Sequence, residues 1–166
     1  MPLQMSKPTK QPTRTRPFWQ PCWSAYRLFV VKIKGYTIAP GAKLRKANLQ
    51  KVNLPKVNLQ KANLSDANLC YANLQKANLC DANLCGAQLM GANLAGANLR
   101  GANLSKAWMA SANFSKAILV GANLTRADLF LFSDSSPADF SGANLSGANL
   151  CRAVLGDQWS DPTPDG

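Results

Sequence analysis

The chain has no histidine, and its eight acidic residues are all aspartates, so glutamate is missing as well. Histidine and glutamate are common general bases, and histidine is also the commonest metal ligand. Without histidine there is no Ser-His or Cys-His pair for nucleophilic catalysis. We therefore expect a protein that is not an enzyme and that needs no cofactor.

The cysteines give no sign of a metal site or a disulfide framework. There are five of them, an odd number, and no two show C-x-x-C spacing: Cys22, Cys70, Cys80, Cys85 and Cys151. We expect free surface thiols in a reducing, cytoplasmic compartment. No run of 18 or more apolar residues occurs, so we expect no transmembrane segment.

Acidic residues are absent from residues 1–65, which carry 13 lysines and arginines. Residues 66–166 carry six basic residues and all eight aspartates, and the whole chain has a net charge of +11. Such asymmetry suggests an anionic partner for residues 1–65, which would be nucleic acid, anionic lipid or an acidic protein. The alternative is a solvated basic surface without a specific ligand.

The N-terminal segment divides into two parts. Residues 1–20 are basic and carry four prolines, which favours a disordered basic arm or an organellar targeting segment. Residues 21–41 are expected to form an amphipathic cap and lead-in. A helical spacing (Trp23, Tyr26, Val30, Ile33) and a strand-like alternation (Phe29, Val31, Ile33) are both present. The segment would cover the end of a repeat array or lie on a membrane surface.

From Ala42 to Leu129, every fifth residue is a large apolar one, and a small residue lies two positions before it. The commonest form is Ala-Asn-Leu, as in residues 47–49 and 62–64. A period of five fits neither a helix nor a continuous strand, because the leucines would not stay on one face. It fits a short extended piece followed by a corner, with Ala and Leu inside and Asn outside.

These A-[DN]-L-x-x units resemble the pentapeptide-repeat family over residues 42–155. The lead-in, residues 36–42, is similar to uncharacterised cyanobacterial members. The resemblance implies an all-β fold, a right-handed quadrilateral β-helix with 20 residues per coil. The 22 units would then make about 5.5 coils. We place the solenoid at residues 42–157, with a one-residue insertion and a loop at 130–137, and an acidic tail at 158–166.

On such a coil, the corner residues of residues 42–65 form a basic end. Lys46, Lys51, Lys56 and Lys61 occupy equivalent corners and are expected to ring one coil. With Lys43 and Arg45 they are candidate anion-binding residues. We expect Lys46 to pair with Asp66 and Lys61 with Asp81, and we expect the rest of the rod to be nearly neutral.

Asn occupies the outward position in most units, and Trp108 and Ile118 are large apolar exceptions. The side of the coil that bears Trp108 is expected to carry an apolar docking patch, made of Tyr71, Met90, Trp108, Phe130, Leu131 and Phe132. It would bind a protein partner or a second copy of the chain, since contiguous exposed apolar area usually marks an interface. The alternative is local packing of the loop onto Trp108 and Met90.

The features together favour a non-enzymatic scaffold for protein–protein interaction. The alternative is a protein that binds nucleic acid or an acidic membrane surface through the basic arm and the lysines. The family resemblance also brings in gyrase-protecting proteins that imitate DNA through an acidic surface. The net charge of +11 disfavours that function here.

Overall fold

The regular strands form a short hairpin ahead of the repeats. A computed structural model describes residues 31–130 and 136–154. In it, β1 (Val31–Ile33) pairs antiparallel with β2 (Tyr36–Ile38), with Val31 opposite Ile38. Lys34 and Gly35 join them with φ values of 50° and 81°, as a two-residue hairpin turn requires. The strand interpretation is therefore confirmed at Val31 and Ile33, and the helical one is wrong there. Residues 1–30, with the predicted arm and most of the cap, lie outside the described residues.

The hairpin lies against the start of the repeats. Ile38 is only 2% exposed and joins the core. Tyr36 Oη accepts a hydrogen bond from the backbone N–H of Asn48 at 3.4 Å, and Lys34 Nζ donates to the Gln50 carbonyl at 2.9 Å. In later coils the equivalent backbone groups bond to the neighbouring coil. The hairpin thus supplies partners to polar groups at the otherwise open end of the stack.

The repeats wind into coils of 20 residues. Isolated parallel bridges recur at every fifth residue, and from Lys43–Asn63 to Trp108–Asp128 the bridged partners are 20 apart. Each coil therefore has four sides, and each side contributes one short bridge rather than a long strand. Residues ten apart, such as Trp108 and Ile118, lie on opposite sides.

Each of the five backbone N–H groups of the unit Ala67–Tyr71 has a hydrogen-bond partner. Asn68 N–H bonds to the preceding coil, at Ala47 O, and the N–H groups of Leu69 and Tyr71 bond to the following one. Ala67 N–H closes the corner by bonding to Leu64 O at 3.0 Å. The remaining group, Cys70 N–H, bonds to the side-chain oxygen of Asn68 at 3.1 Å. A unit of this kind thus depends on the Asn side chain for the fifth of its backbone N–H hydrogen bonds.

The interior is filled by the Ala and Leu positions, nearly all of which are buried. Full burial of one leucine side chain contributes about 2 kcal/mol. The second corner residue of each unit has a positive φ close to 60°, whether it is glycine, lysine or aspartate. That conformation turns the chain by one side and directs the corner side chain away from the core.

The coil register changes at the break. After Trp108–Asp128 the partners are 26 apart, starting with Asn113–Asp139, so this coil is six residues longer than the others. Ser111 N–H bonds to Ser136 O at 2.8 Å, where the regular pattern would place residue 130. The rings of Phe114 and Phe140 stack across the longer coil at 4.8 Å. The sequence predicted one inserted residue, but the bridges show six additional residues, because Asp139 rather than the irregular unit forms the side after that of Asp128.

Candidate binding surfaces

The lysine ring, defined as Lys46, Lys51, Lys56 and Lys61, occupies the four corners of one coil. All four side chains are exposed, and their φ values lie between 57° and 59°. Neighbouring members are one unit apart, so they project from different corners of the square. Lys43 and Arg45 are also exposed, Lys43 at an Asn position bridged to Asn63 and Arg45 at a first corner position.

The ion pair found in residues 31–130 and 136–154 joins Arg45 Nε to Asp66 Oδ2 at 3.6 Å. We predicted that Asp66 would pair with Lys46 instead. The corner of Lys46 does stack on the corner of Asp66, since Lys46 N–H bonds to Ser65 O. The longer arginine side chain reaches Asp66 from the adjacent corner position, so the predicted side-chain pair is wrong. The predicted pairing of Lys61 with Asp81 is likewise not among the ion pairs of the described chain.

A second set of cations, which the sequence reasoning missed, lies along one corner. This corner ladder consists of Lys106, Arg126 and Arg152, which are second corner residues of successive coils. Lys106 N–H bonds to Thr125 O and Arg126 N–H to Cys151 O, each at 3.0 Å, so the three residues stack directly. A cavity of about 410 Å³ opens beside them. The expectation of a nearly neutral rod beyond residue 65 is therefore wrong at this corner.

The Trp108 face is the side that carries residues 48, 68, 88, 108, 128 and 154. Trp108 and Val154 are each 50% exposed on it, and Tyr71, at its corner, is 54% exposed. Two other predicted members of the patch, Met90 and Phe130, are half-buried and less exposed than Trp108. Leu131 and Phe132 lie outside the described residues.

The described cysteines, Cys70, Cys80, Cys85 and Cys151, are free thiols. The expectation of surface thiols is wrong for Cys70, which is buried at a first corner position below Gln88. Burial raises the pKa of the Cys70 thiol above its ordinary value. Burial, followed by the neighbouring Asp81 carboxylate, also raises the pKa of Cys80.

Within the described part of the chain, no cluster of three or more His, Cys, Asp or Glu residues is placed to hold a metal ion. Among these residues there is also no helix long and apolar enough to cross a membrane. What the described surface offers is charge at the corners and apolar side chains on one side.

The coil length, the five-residue unit and the inward Ala and Leu define a β-helical repeat protein. A family model described as pentapeptide repeats matches residues 40–69, 71–105, 109–130 and 137–157, in eight copies. The chain belongs to the pentapeptide-repeat family, as the sequence predicted.

Among solved structures, a pentapeptide repeat protein from the thylakoid lumen of Arabidopsis thaliana is 29% identical, with a TM-score of 0.60 over 66% of this chain and 72% of that one. Rfr23 from the cyanobacterium Cyanothece 51142 is 30% identical over 68% of this chain and 88% of its own, with a TM-score of 0.45. HetL from the cyanobacterium Nostoc sp. strain PCC 7120, described as involved in heterocyst differentiation regulation, is 34% identical. That match covers 73% of this chain and 62% of HetL, with a TM-score of 0.38. The search of curated proteins gave no match.

Proposed function

We propose that this chain, as a right-handed β-helix of about 5.5 coils, is a non-enzymatic scaffold that binds a protein partner through the Trp108 face. The observation that carries the proposal is Trp108 itself. It stands where most other units have Asn, and half of its surface is exposed.

Trp108 is unfavourable for the fold at this position. In other units the Asn side-chain oxygen accepts a hydrogen bond from the backbone N–H two residues later, at about 3 Å, as Asn93 does for Ala95. An indole has no acceptor for this bond, so Trp108 gives up about 1 kcal/mol. It also exposes apolar surface to water. A residue that costs stability and exposes an aromatic ring is better explained by binding than by folding.

The surroundings of Trp108 fit the centre of an interface. Asp128 bridges Trp108 on one side and Val154 on the other, and Tyr71 lies at the neighbouring corner. Exposed Trp and Tyr within a polar rim are the residues that most often dominate binding energy at protein interfaces. We therefore expect a partner with an apolar pocket or ridge that covers the Trp108 ring.

The test compares two equivalent substitutions on opposite sides of the rod. Trp108→Asn and Ile118→Asn both restore the usual residue, but only the first alters the Trp108 face. A photo-crosslinking residue at Ser111, with Arg100 on the opposite side as control position, identifies the partner in cells of the source organism. The purified partner should then bind the wild type and Ile118→Asn alike, and Trp108→Asn about tenfold or more weakly.

Equal binding of the partner by Trp108→Asn and Ile118→Asn would contradict the proposal. Light scattering on the purified chain distinguishes the remaining case. A dimer that dissociates in Trp108→Asn and persists in Ile118→Asn would make a second copy of the chain the partner.

A second candidate function is binding to nucleic acid or an acidic membrane through residues 1–65. The supporting observation is that Lys43, Arg45 and the lysine ring are all exposed. Such binding would weaken steeply with salt, because each neutralised phosphate releases counterions. Binding to duplex DNA, RNA and anionic vesicles at low and high salt tests it, and no binding at low salt would exclude it. The net charge of +11 argues against an imitation of DNA.

A further inference from the structure

We infer that the corner ladder and the cavity beside it form a binding site for a small phosphorylated molecule with two or more linked phosphoryl groups. The site is separate from the Trp108 face and from the lysine ring, and it adds a ligand to the proposed scaffold function.

The first argument is the direction in which the cations are arranged. The three members of the corner ladder occupy one corner of three successive coils, about one sheet spacing of 4.8 Å apart. The other corners of the same coils are different. One carries only glycine, at Gly101, Gly121 and Gly147, and another carries Lys116 between Gly96 and Gly142. Three of the five basic residues from Arg100 to Val154 therefore lie at a single corner.

The second argument is that this charge is not compensated. Two unit charges 5 Å apart repel by about 1 kcal/mol even in bulk water, and more near a protein surface. In residues 31–130 and 136–154, no carboxylate lies within ion-pair distance of any ladder cation. The acid in the same corner column, Asp66, pairs with Arg45 instead. An anionic ligand would remove the repulsion that the fold leaves in place.

The third argument is the cavity. It is a groove of about 410 Å³ that is open to solvent, and three cations and two hydroxyl side chains are among the residues that line it. Ser105, Thr125 and Cys151 lie next to the three cations in the lining. Thr125 Oγ1 donates to Asn123 Oδ1 at 2.6 Å, so its oxygen keeps a lone pair and its position is fixed. The cations and hydroxyl groups of this lining can bind an oxyanion.

The ligand class follows from the number and the spacing of the charges. Two guanidinium groups give planar forks that bind phosphate oxygens in pairs, and the lysine adds a point charge. A single phosphate would contact one or two of the cations, whereas a chain of phosphoryl groups contacts all three. Tripolyphosphate is therefore the simplest probe, and adenosine triphosphate carries the same chain on a nucleoside.

The chain also offers a matched control. Lys116 has the same backbone conformation as Arg126, with φ 57° against 58°, and it is also exposed. It lies at the opposite corner, between two glycines rather than between two cations. Arg126→Gln and Lys116→Gln thus remove the same charge from equivalent backbone positions, once inside the ladder and once outside it.

Isothermal titration at low ionic strength provides the first measurement. Tripolyphosphate should bind the wild type and Lys116→Gln alike, Arg126→Gln about tenfold more weakly, and orthophosphate more weakly than tripolyphosphate throughout. A stronger response to adenosine triphosphate would assign the ligand to nucleotides, and an equal response would assign it to the phosphate chain alone. Equal losses in the two variants, or no binding by the wild type, would overturn the site.

The second measurement locates the ligand, because a basic protein also binds polyanions without a specific site. Cys151 lines the cavity, whereas Cys80 lies at a different corner. Tripolyphosphate should slow the alkylation of Cys151, measured by peptide mass spectrometry, and leave the rate at Cys80 unchanged. Equal protection of both thiols would overturn the proposal. A duplex DNA that protects Cys151 at lower concentration than tripolyphosphate would also overturn it, in favour of nucleic acid.

Discussion

The lysine ring runs around one coil, whereas the corner ladder runs along one edge of three coils. Members of both sets are second corner residues with φ near 58°, and members of both are exposed. They differ only in direction. A step of five residues moves a side chain to the next corner, and a step of one coil places it above its predecessor.

This difference decides what each set can bind. Side chains five residues apart diverge, so the ring presents its charge to every direction and suits a large, flexible anionic surface. Side chains one coil apart lie one above the other along the same edge, so the ladder suits one small polyanion. In this fold the spacing of charges along the sequence thus selects the size of the ligand.

The largest effect should come from neutralising three cations of each set. We expect Lys106→Gln/Arg126→Gln/Arg152→Gln to reduce tripolyphosphate affinity about a hundredfold or more, because every charge-assisted contact is lost. Lys51→Gln/Lys56→Gln/Lys61→Gln should leave that affinity unchanged and lower the salt dependence of DNA binding. Titration calorimetry measures the first effect, and DNA binding at several salt concentrations measures the second. Comparable losses of tripolyphosphate affinity in both triple variants would remove the distinction.

Corner positions also differ in how much stability a side chain costs there. Lysine is accepted at ring corners with positive φ, so glycine elsewhere needs a further reason. A Cβ at Gly91 would lie 2.6 Å from the Tyr71 ring, whereas a Cβ at Gly121 would meet nothing within 4 Å. We expect Gly121→Ala to cost about 1 kcal/mol through φ alone and Gly91→Ala about 1 kcal/mol more.

Urea unfolding gives both free energies for these glycine variants. Tyr71→Ala should abolish the difference between them, because it removes the ring that the new methyl group meets. An undiminished difference in the Tyr71→Ala background would place the cause elsewhere in the coil.

The smallest expected effect is on the free energy of unfolding at acidic pH. Asp139 occupies the Asn position that stacks on Asn113 in the next coil. Hydrogen bonds from the Ser141 side chain and backbone lower the pKa of Asp139 below its usual range. The folded state thus favours the carboxylate, so the stabilisation is present above the ordinary aspartate pKa of about 4 and is lost as the pH falls through the lowered value. Asp139→Asn keeps the acceptor oxygen and should flatten this loss. Urea unfolding from about pH 5 to pH 2 measures it, and identical profiles for both proteins would contradict the assignment.

The sequence was sufficient for the coil but not for all of its surface. Ala and Leu two residues apart must share a side, so the inward positions and the 20-residue period followed from spacing and family resemblance. The sequence predicted that Asn lies on the outside of the coil but not which hydrogen bonds it makes. Amide stacking occurs, as between Asn73 and Asn53 at 2.8 Å, but the bond to the second following N–H is far more frequent. The preference of Asn for turns was the available signal.

The corner ladder was harder to predict because it crosses the break. Lys106 and Arg126 are 20 residues apart, and that pair was visible in the sequence. Arg152 joins them only if six residues leave the coil, and the 11-residue step between Ala127 and Ala138 does not by itself say how many do. The number depends on whether the irregular unit forms a side, and the bridge between Asn113 and Asp139 shows that Asp139 takes the side after that of Asp128.

The corner ladder depends most on that register, and disulfide formation tests it directly. In a Cys151→Ser background, cysteines are placed at Arg126 and Arg152 in one protein and at Arg126 and Gly147 in another. Stacked corners are close enough for a disulfide, which needs Cα atoms about 4.4–6.8 Å apart. The 26-residue register predicts that oxidation cross-links positions 126 and 152 and leaves 126 and 147 free. Preferential bonding of 126 to 147 would mean that the irregular unit forms a side of the coil, with one residue inserted, and that the ladder ends at Arg126.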